Sequence, residues 1–176
     1  MPPFSGSSAA VLQHAVGTWT LAAPTMAEFS VGNLGKRVSG TIPVSSAHFE
    51  VSENGSVRDV YAVLDLSSID TGLAKRDADL RKPRLLDLDN HAKLTFSATQ
   101  VTSLEQGWTV NGLLTVKGRT REITLDVTAE QPSEDTVLVR LTGRLDRRHY
   151  GIKAPRFLIG ALVDLQIEAV FGRRWS

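Results

Sequence analysis

From Gly17 onward, apolar and polar side chains alternate with a period of two, with one interruption. Successive side chains of an extended strand point to opposite faces, so this alternation marks strands with one buried face. In residues 57–66 the apolar positions are Val60, Ala62, Leu64 and Leu66, with Arg58 starting the same parity. Residues 92–101 set Leu94, Phe96 and Ala98 against Lys93, Thr95, Ser97 and Thr99. Residues 108–116 carry Trp108, Val110, Leu114 and Val116, and residues 121–129 carry Ile123, Leu125, Val127 and Ala129. The pattern returns in 136–145 with Val137, Val139, Leu141 and Leu145, and in 161–171 with Val163, Leu165, Ile167 and Phe171. Glu53-Asn54-Gly55, Glu105-Gln106-Gly107, Lys117-Gly118 and Pro132-Ser133-Glu134-Asp135 supply short hairpin connections. About eight strands, no strand–helix–strand rhythm and no internal repeat predict an all-β antiparallel domain. A closed barrel and a two-sheet sandwich share this periodicity, and both stay open at this point.

The interruption lies at 71–81. Good helix formers, Asp70 or Thr71 as N-cap, and Pro83 as a stop predict one short helix over about 72–82. Leu73, Asp77 and Leu80 share one face of it, and an acid between two leucines needs a partner, for which Arg76 and Arg81 are placed. The segment reads as a helical lid tied to the rim of the strand assembly, with Arg76 or Arg81 as candidates to meet the polar head of a ligand.

A chain of 176 residues, 41% hydrophobic and 22% charged, suits one domain with a sizeable core. Residues 1–16, rich in Pro, Ser, Gly and Ala, read as a flexible arm with a little local helix at 9–16, leaving 17–173 as the domain. Twenty basic and nineteen acidic residues leave a formal charge of +1, so no nucleic-acid partner is expected. The basic knot at 144–148 reads as solvated surface. The absence of cysteine excludes disulfides and thiolate chemistry. The N-terminus carries no signal-peptide pattern and no segment is long enough for a spanning helix. A cytoplasmic location without stable membrane insertion is the expectation. His14, His48, His91 and His149 are scattered without metal-ligand spacing, and no nucleophile-elbow or phosphate-loop motif occurs. The acids Asp65, Asp70, Asp77, Asp79, Asp87 and Asp89 fall on different elements with no EF-hand spacing. No metal and no cofactor are expected.

Two blocks carry a resemblance. Ser-Ser-Ile-Asp-Thr-Gly-Leu-Ala-Lys-Arg-Asp-Ala-Asp-Leu-Arg at 67–81 resembles the Ser-Ile-x-Thr-Gly…Arg-Asp-x-x-Leu-Arg segment of the YceI-like, polyisoprenoid-binding family. Gly-Leu-Leu-Thr-Val-Lys-Gly-Arg-Thr-Arg at 112–121 resembles that family's Gly-x-Leu-Thr-(hydrophobic)-x-Gly-x-Thr-Arg hairpin. Leu34-Gly…Gly40, Leu94-Thr-Phe96 and Arg147…Tyr150-Gly-Ile152 fit as well. There are two departures. Ala22-Ala-Pro-Thr25 stands where the family has Asp-x-x-His-Ser, and His149 stands where it has Asp.

The resemblance implies a lipocalin-like, eight-stranded antiparallel barrel with the short helix near its rim. It also implies a non-catalytic carrier whose interior holds a polyisoprenoid, an isoprenoid quinone or a fatty-acyl lipid, with a homodimer as a plausible assembly. On that reading the lining candidates are Phe29, Val31, Leu64, Leu66, Leu85, Leu86, Phe96, Trp108, Leu114, Leu125, Leu141, Tyr150, Phe157 and Ile159. Arg76, Asp77, Arg81 and His149 are the candidates to anchor a ligand head or the helix. Two alternatives remain: an enzyme acting on a bound apolar substrate through Asp77, Arg76 and His149, or an interaction module whose barrel is filled by its own side chains.

Overall fold

The computed structural model describes Leu12 and residues 15–33, 35–153 and 159–174, with Asn33 and Ile159 described by backbone alone. Its strands are β1 (Gly17–Leu21), β2 (Thr25–Asn33), β3 (Lys36–Val51), β4 (Val57–Asp65), β5 (Lys93–Ser103), β6 (Trp108–Val116), β7 (Arg119–Ser133), β8 (Thr136–Asp146) and β9 (Ile159–Arg174). Among the described residues one α-helix, α1 (Ala74–Leu80), lies between β4 and β5. The sheet runs β3-β2-β9-β8-β7-β6-β5-β4 and closes through β3 on β4, every pair antiparallel. Strands β1 and β2 share one lane between β3 and β9. β1 pairs with the His48–Val51 stretch of β3, and β2 with the Lys36–Val44 stretch. Nine strands therefore make an eight-lane closed barrel, in which every described strand has a neighbour on both sides, and this rules out the sandwich.

Local chemistry sets the register. The β6–β7 turn is the two-residue Lys117-Gly118, with φ of 54° and 74°, the left-handed pair that matches the twist of a tight hairpin. Asp59, at φ 52°, bulges β4 where the β3 register slips between His48 and Glu50. That bulge corrects the expected parity of Arg58, which turns outward to Glu50. A second slip, between Ala98 and Gln100, brings Val101 back onto the inner face.

The two ends of the barrel differ. At the upper end Trp19 is fully buried, stacked on Phe49 with centroids 6.2 Å apart, while Phe49 meets Phe171 edge-on at 4.9 Å. The Trp19 indole N–H donates to the Ala15 carbonyl at 2.7 Å, and the Arg173 guanidinium lies 4.8 Å above the ring. Leu12 and Ala15, read from sequence as arm, are buried here. At the lower end β3 pairs with β4 only from Val44↔Leu64 upward, and β7 with β8 only from Leu125↔Gly143 upward. A 3-10 turn serves each seam. Leu66–Ser68, followed by the Thr41↔Asp70 bridge, lies against β3, and Arg147–Tyr150, with Tyr150 buried, lies against β7.

The helix is shorter than expected and is capped differently. Gly72, at φ 81°, turns the chain so that helical geometry starts only at Ala74, with Leu73 at the N-cap and no side-chain cap bond. The Asp70 carboxylate instead accepts from the Gly72 N–H at 2.8 Å. Leu80 packs on the core while Leu73 is exposed, so the expected Leu73–Asp77–Leu80 face is only partly buried.

At mid-height, three large side chains lie over facing glycines. A Cβ on Gly40 would stand 2.5 Å from the Phe29 ring and 2.8 Å from the Asp70 carbonyl oxygen. One on Gly112 would stand 2.5 Å from the Phe96 ring, and one on Gly143 2.5 Å from Leu125. The rings thus rest on the wall and not at the axis. Gly40→Ala is therefore expected to lower stability by about 1–3 kcal/mol through overpacking. Gly32→Ala, where nothing lies within 4 Å, is expected to change it by no more than ~0.5 kcal/mol. Urea titrations of the two variants check the contrast.

Candidate functional site

The glycine-backed waist leaves two apolar cavities on the barrel axis. The lower one, about 280 Å³, is lined by Phe29, Val31, Leu66, Leu85 and Leu86 together with Ile42, Leu94, Val116, Leu145, Ile152 and Val163. The upper one, about 120 Å³, is lined by Leu64, Phe96, Trp108, Leu125 and Leu141, with Leu12, Phe49 and Val137. Ten of the lining candidates named from sequence thus divide between two chambers. Leu114 and Tyr150 are buried but line neither: Leu114 packs at the waist and Tyr150 at the β7 seam. Burial pushes the Tyr150 phenol above its ordinary range. Phe157 and the Ile159 side chain lie outside what the structure describes.

Polar groups reach the lower cavity from Thr71, Arg76, Asp79 and Arg147. Arg76 donates from Nε to Thr71 Oγ1 and from its terminal nitrogen to the Thr71 carbonyl, both at 2.8 Å. Asp77 does not pair with Arg76 or Arg81. It accepts from the Thr71 backbone N–H at 3.0 Å and from its hydroxyl at 2.5 Å, so acid and guanidinium together close the turn before α1. Asp79 pairs with Lys82 at 2.9 Å, a contact that holds its carboxyl below the usual range.

Arg81 points away from the cavity, to Asp89 and the Ser67 carbonyl, each at 3.3 Å. His149 is 64% exposed, 3.9 Å from Asp146, because the 3-10 turn that buries Tyr150 directs its predecessor outward. Of the four predicted anchors, Arg76 alone lines a cavity. No hydrogen bond or ion pair joins Arg76, Asp77 and His149. Among the described residues no group of three His, Asp or Glu is placed to hold a metal, and no helix is long and apolar enough to cross a membrane.

Arg147 is the residue that sequence reasoning missed. It belongs to the knot read as solvated surface, yet it is 5% exposed. Its Nε donates to the Gly160 carbonyl and Nη1 to the Ile152 carbonyl, both at 2.8 Å, with the guanidinium at the cavity wall. The signal was present in the parity of β8: Val137, Val139, Leu141 and Leu145 face inward, and Arg147 continues the odd series. Next to it Asp146 accepts from the Arg148 backbone N–H at 2.9 Å and pairs with the guanidinium at 2.6 Å. These bonds hold its carboxyl down at about 2.

Two expectations follow from this turn. Arg147→Leu leaves buried carbonyls without donors and is expected to cost about 2–4 kcal/mol of stability. Asp146→Asn is expected to cost on the order of 1 kcal/mol at pH 7, after screening by solvent. A depressed acid stabilises the fold above its unfolded value, and that contribution fades as pH falls from about 4 through 2. The Asn variant and the parent should therefore converge near pH 2 in denaturant midpoints recorded across pH.

A family profile described as the YceI-like domain matches residues 19–171. A UPF0312 protein of Yersinia enterocolitica is 33% identical over 101 residues, 56% of this chain and 53% of that protein. A UPF0312 protein of Serratia proteamaculans is 32% identical over the same shares. The chain spans about half the length of these curated relatives. Among solved structures, a polyisoprenoid binding domain from Saccharophagus degradans, implicated in plant cell wall breakdown, superposes with TM-score 0.68 at 16% identity, covering 89% of this chain and 98% of that one. BcnA of Burkholderia cenocepacia superposes with TM-score 0.69 at 13% identity, covering 83% and 95%. At such identities the likeness to the solved structures is one of fold. The profile runs from Trp19 in β1 to Phe171 in β9, the whole circuit of the barrel, and the chain belongs to the YceI-like family.

Proposed function

We propose that this protein binds one long apolar chain along the barrel axis and carries or sequesters it without chemical change. The carrying observation is the lower cavity: about 280 Å³ of apolar lining inside a closed barrel, with polar side chains only from Thr71, Arg76, Asp79 and Arg147. Most of this wall offers water no hydrogen-bond partner, so an apolar chain that fills it displaces little well-bonded water. A polyisoprenoid, an isoprenoid quinone or a fatty-acyl amphiphile suits it, with the tail inside and the polar head at the lower end of the barrel. The fold likeness to a polyisoprenoid binding domain supports the same class.

The enzyme alternative lacks the convergence it needs, since Asp77 is committed to Thr71 and His149 faces solvent. Specificity on the carrier reading comes from girth and length, because apolar contact is non-directional.

A homologous series of prenols or fatty alcohols tests the proposal by titration against a displaced apolar fluorophore. Affinity is expected to rise about fourfold per buried methylene, then to level off once the cavity is full. Leu145→Phe, which fills the lower chamber from β8, is expected to weaken binding by about tenfold or more while leaving the folded state intact. An absence of saturable displacement at any chain length would overturn the carrier reading.

A further inference from the structure

Outside the wall of the lower cavity, on the same end of the barrel, lies a separate concave pocket of about 350 Å³ lined by Pro83, Arg84, Lys117, Arg119, Gly151 and Lys153. Three chain segments build both sites. Leu85, Val116 and Ile152 turn inward to the apolar cavity, while their sequence neighbours Arg84, Lys117 and Lys153 line the basic pocket. The segments are tied by the Lys153 N–H, which donates to the Arg84 carbonyl at 2.8 Å. Lys117 Nζ donates to the Gly151 carbonyl at 2.9 Å, which fixes the ammonium within the pocket. Gly151, left-handed at φ 71°, has no Cβ where the Arg119 guanidinium lies, 2.9 Å from that position.

Seven cations elsewhere on the surface are matched to acids. Arg37 and Arg144 share Asp164, Arg140 meets Glu130 and Glu168, and Arg58, Arg81, Lys82 and Arg148 each have an acid within 4.0 Å. Arg84, Lys117, Arg119 and Lys153 have no such partner among the described residues. The acid acting on Lys117, Asp87, is itself bonded to Asn90 and lies 3.9 Å from His91. Burial pushes the Lys117 ammonium below its ordinary range; Asp87 opposes that shift, and Arg119 and Lys153 add to it. Four positive groups gathered in one concavity of a chain with a net charge of only +1 focus a positive field that the single nearby carboxylate, Asp87, offsets only in part.

We propose that this pocket binds a phosphoryl group, a phosphate or a diphosphate. A single carboxylate neutralises one cation. A phosphoryl group carries close to two charges and several acceptor oxygens, enough to engage two arginine planes and two lysine points together. The group arrives either as a free anion or as the head of the chain in the neighbouring cavity, and the second source rests on the carrier reading.

Calorimetric titration of the full chain with inorganic pyrophosphate at low salt tests the site. Saturable one-to-one binding is expected, weakened about tenfold or more for each charge removed in Arg119→Gln/Lys153→Gln. Lys36→Gln, an exposed change outside the pocket, should leave it unaltered. Both residues of the double variant are exposed, so the fold is retained. Displacement of an apolar fluorophore by geranylgeranyl diphosphate and by geranylgeraniol distinguishes the sources. A diphosphate advantage that vanishes in the double variant supports the pocket as a head-group site. Equal displacement alongside pyrophosphate binding supports it as a free-anion site. No saturable pyrophosphate binding, or binding that the double variant leaves unchanged, overturns the proposal even where geranylgeraniol enters the cavity. Pyrophosphate binding with neither prenyl compound displacing the fluorophore supports the anion site and counts against the carrier reading alone.

Discussion

The contact between large inward side chains and the glycines facing them decides what the interior of this barrel holds. Phe29 lies over Gly40, Phe96 over Gly112 and Leu125 over Gly143, each close enough that a methyl group on the glycine would collide. Without those glycines the rings would be pushed toward the axis, and an eight-lane barrel is just narrow enough for its own side chains to fill. With them, these side chains lie against the facing strands, and apolar space remains above and below. The hydrophobic effect still closes the barrel, because the strands bury their inner faces around Leu64, Leu94, Leu114 and Ile123. It does so without a solid plug.

How the barrel closes explains why its ends are unlike. The Trp19–Phe49–Phe171 cluster, held by the Ala15 carbonyl and covered by Arg173, seals the upper end with aromatic area. The lower end is where two strand pairings stop short, at Val44↔Leu64 and Leu125↔Gly143. Irregular chain serves both seams, and irregular chain brings unpaired backbone groups with it. Arg147 answers that need by donating to the carbonyls of Ile152 and Gly160, and Asp77 and Arg76 answer it around Thr71. The polar character of this end therefore arises from closing the backbone, and two of these groups, Arg76 and Arg147, border the apolar chamber.

Much of this was legible in the sequence for physical reasons. Period-two alternation reported the strands because the barrel has one dry and one wet face, and Lys117-Gly118 announced its hairpin through the need for two positive φ values. The helix was legible but not its start, since Gly72 delays entry in a way that a count of good helix formers does not register. The side-chain pairing of Asp77 was not legible: helix spacing favours Arg76 or Arg81, whereas the preceding turn offers a hydroxyl and an N–H at closer range. Arg147 was hidden by composition, as an arginine in a basic run, although its parity placed it inside. The division into two chambers had no sequence signal of its own. It depends on which rings bend onto which glycines, and that is a property of cross-strand register.

The proposed occupant of the lower cavity is a long apolar chain. Native mass spectrometry of gently purified protein, followed by denaturation and identification of any released molecule, tests it most directly. The account predicts a stoichiometric long-chain amphiphile bound to the folded chain and released on unfolding. A clean ligand-free mass that persists after incubation with prenols and fatty alcohols would contradict it, and would leave the barrel as a scaffold whose cavities serve no ligand.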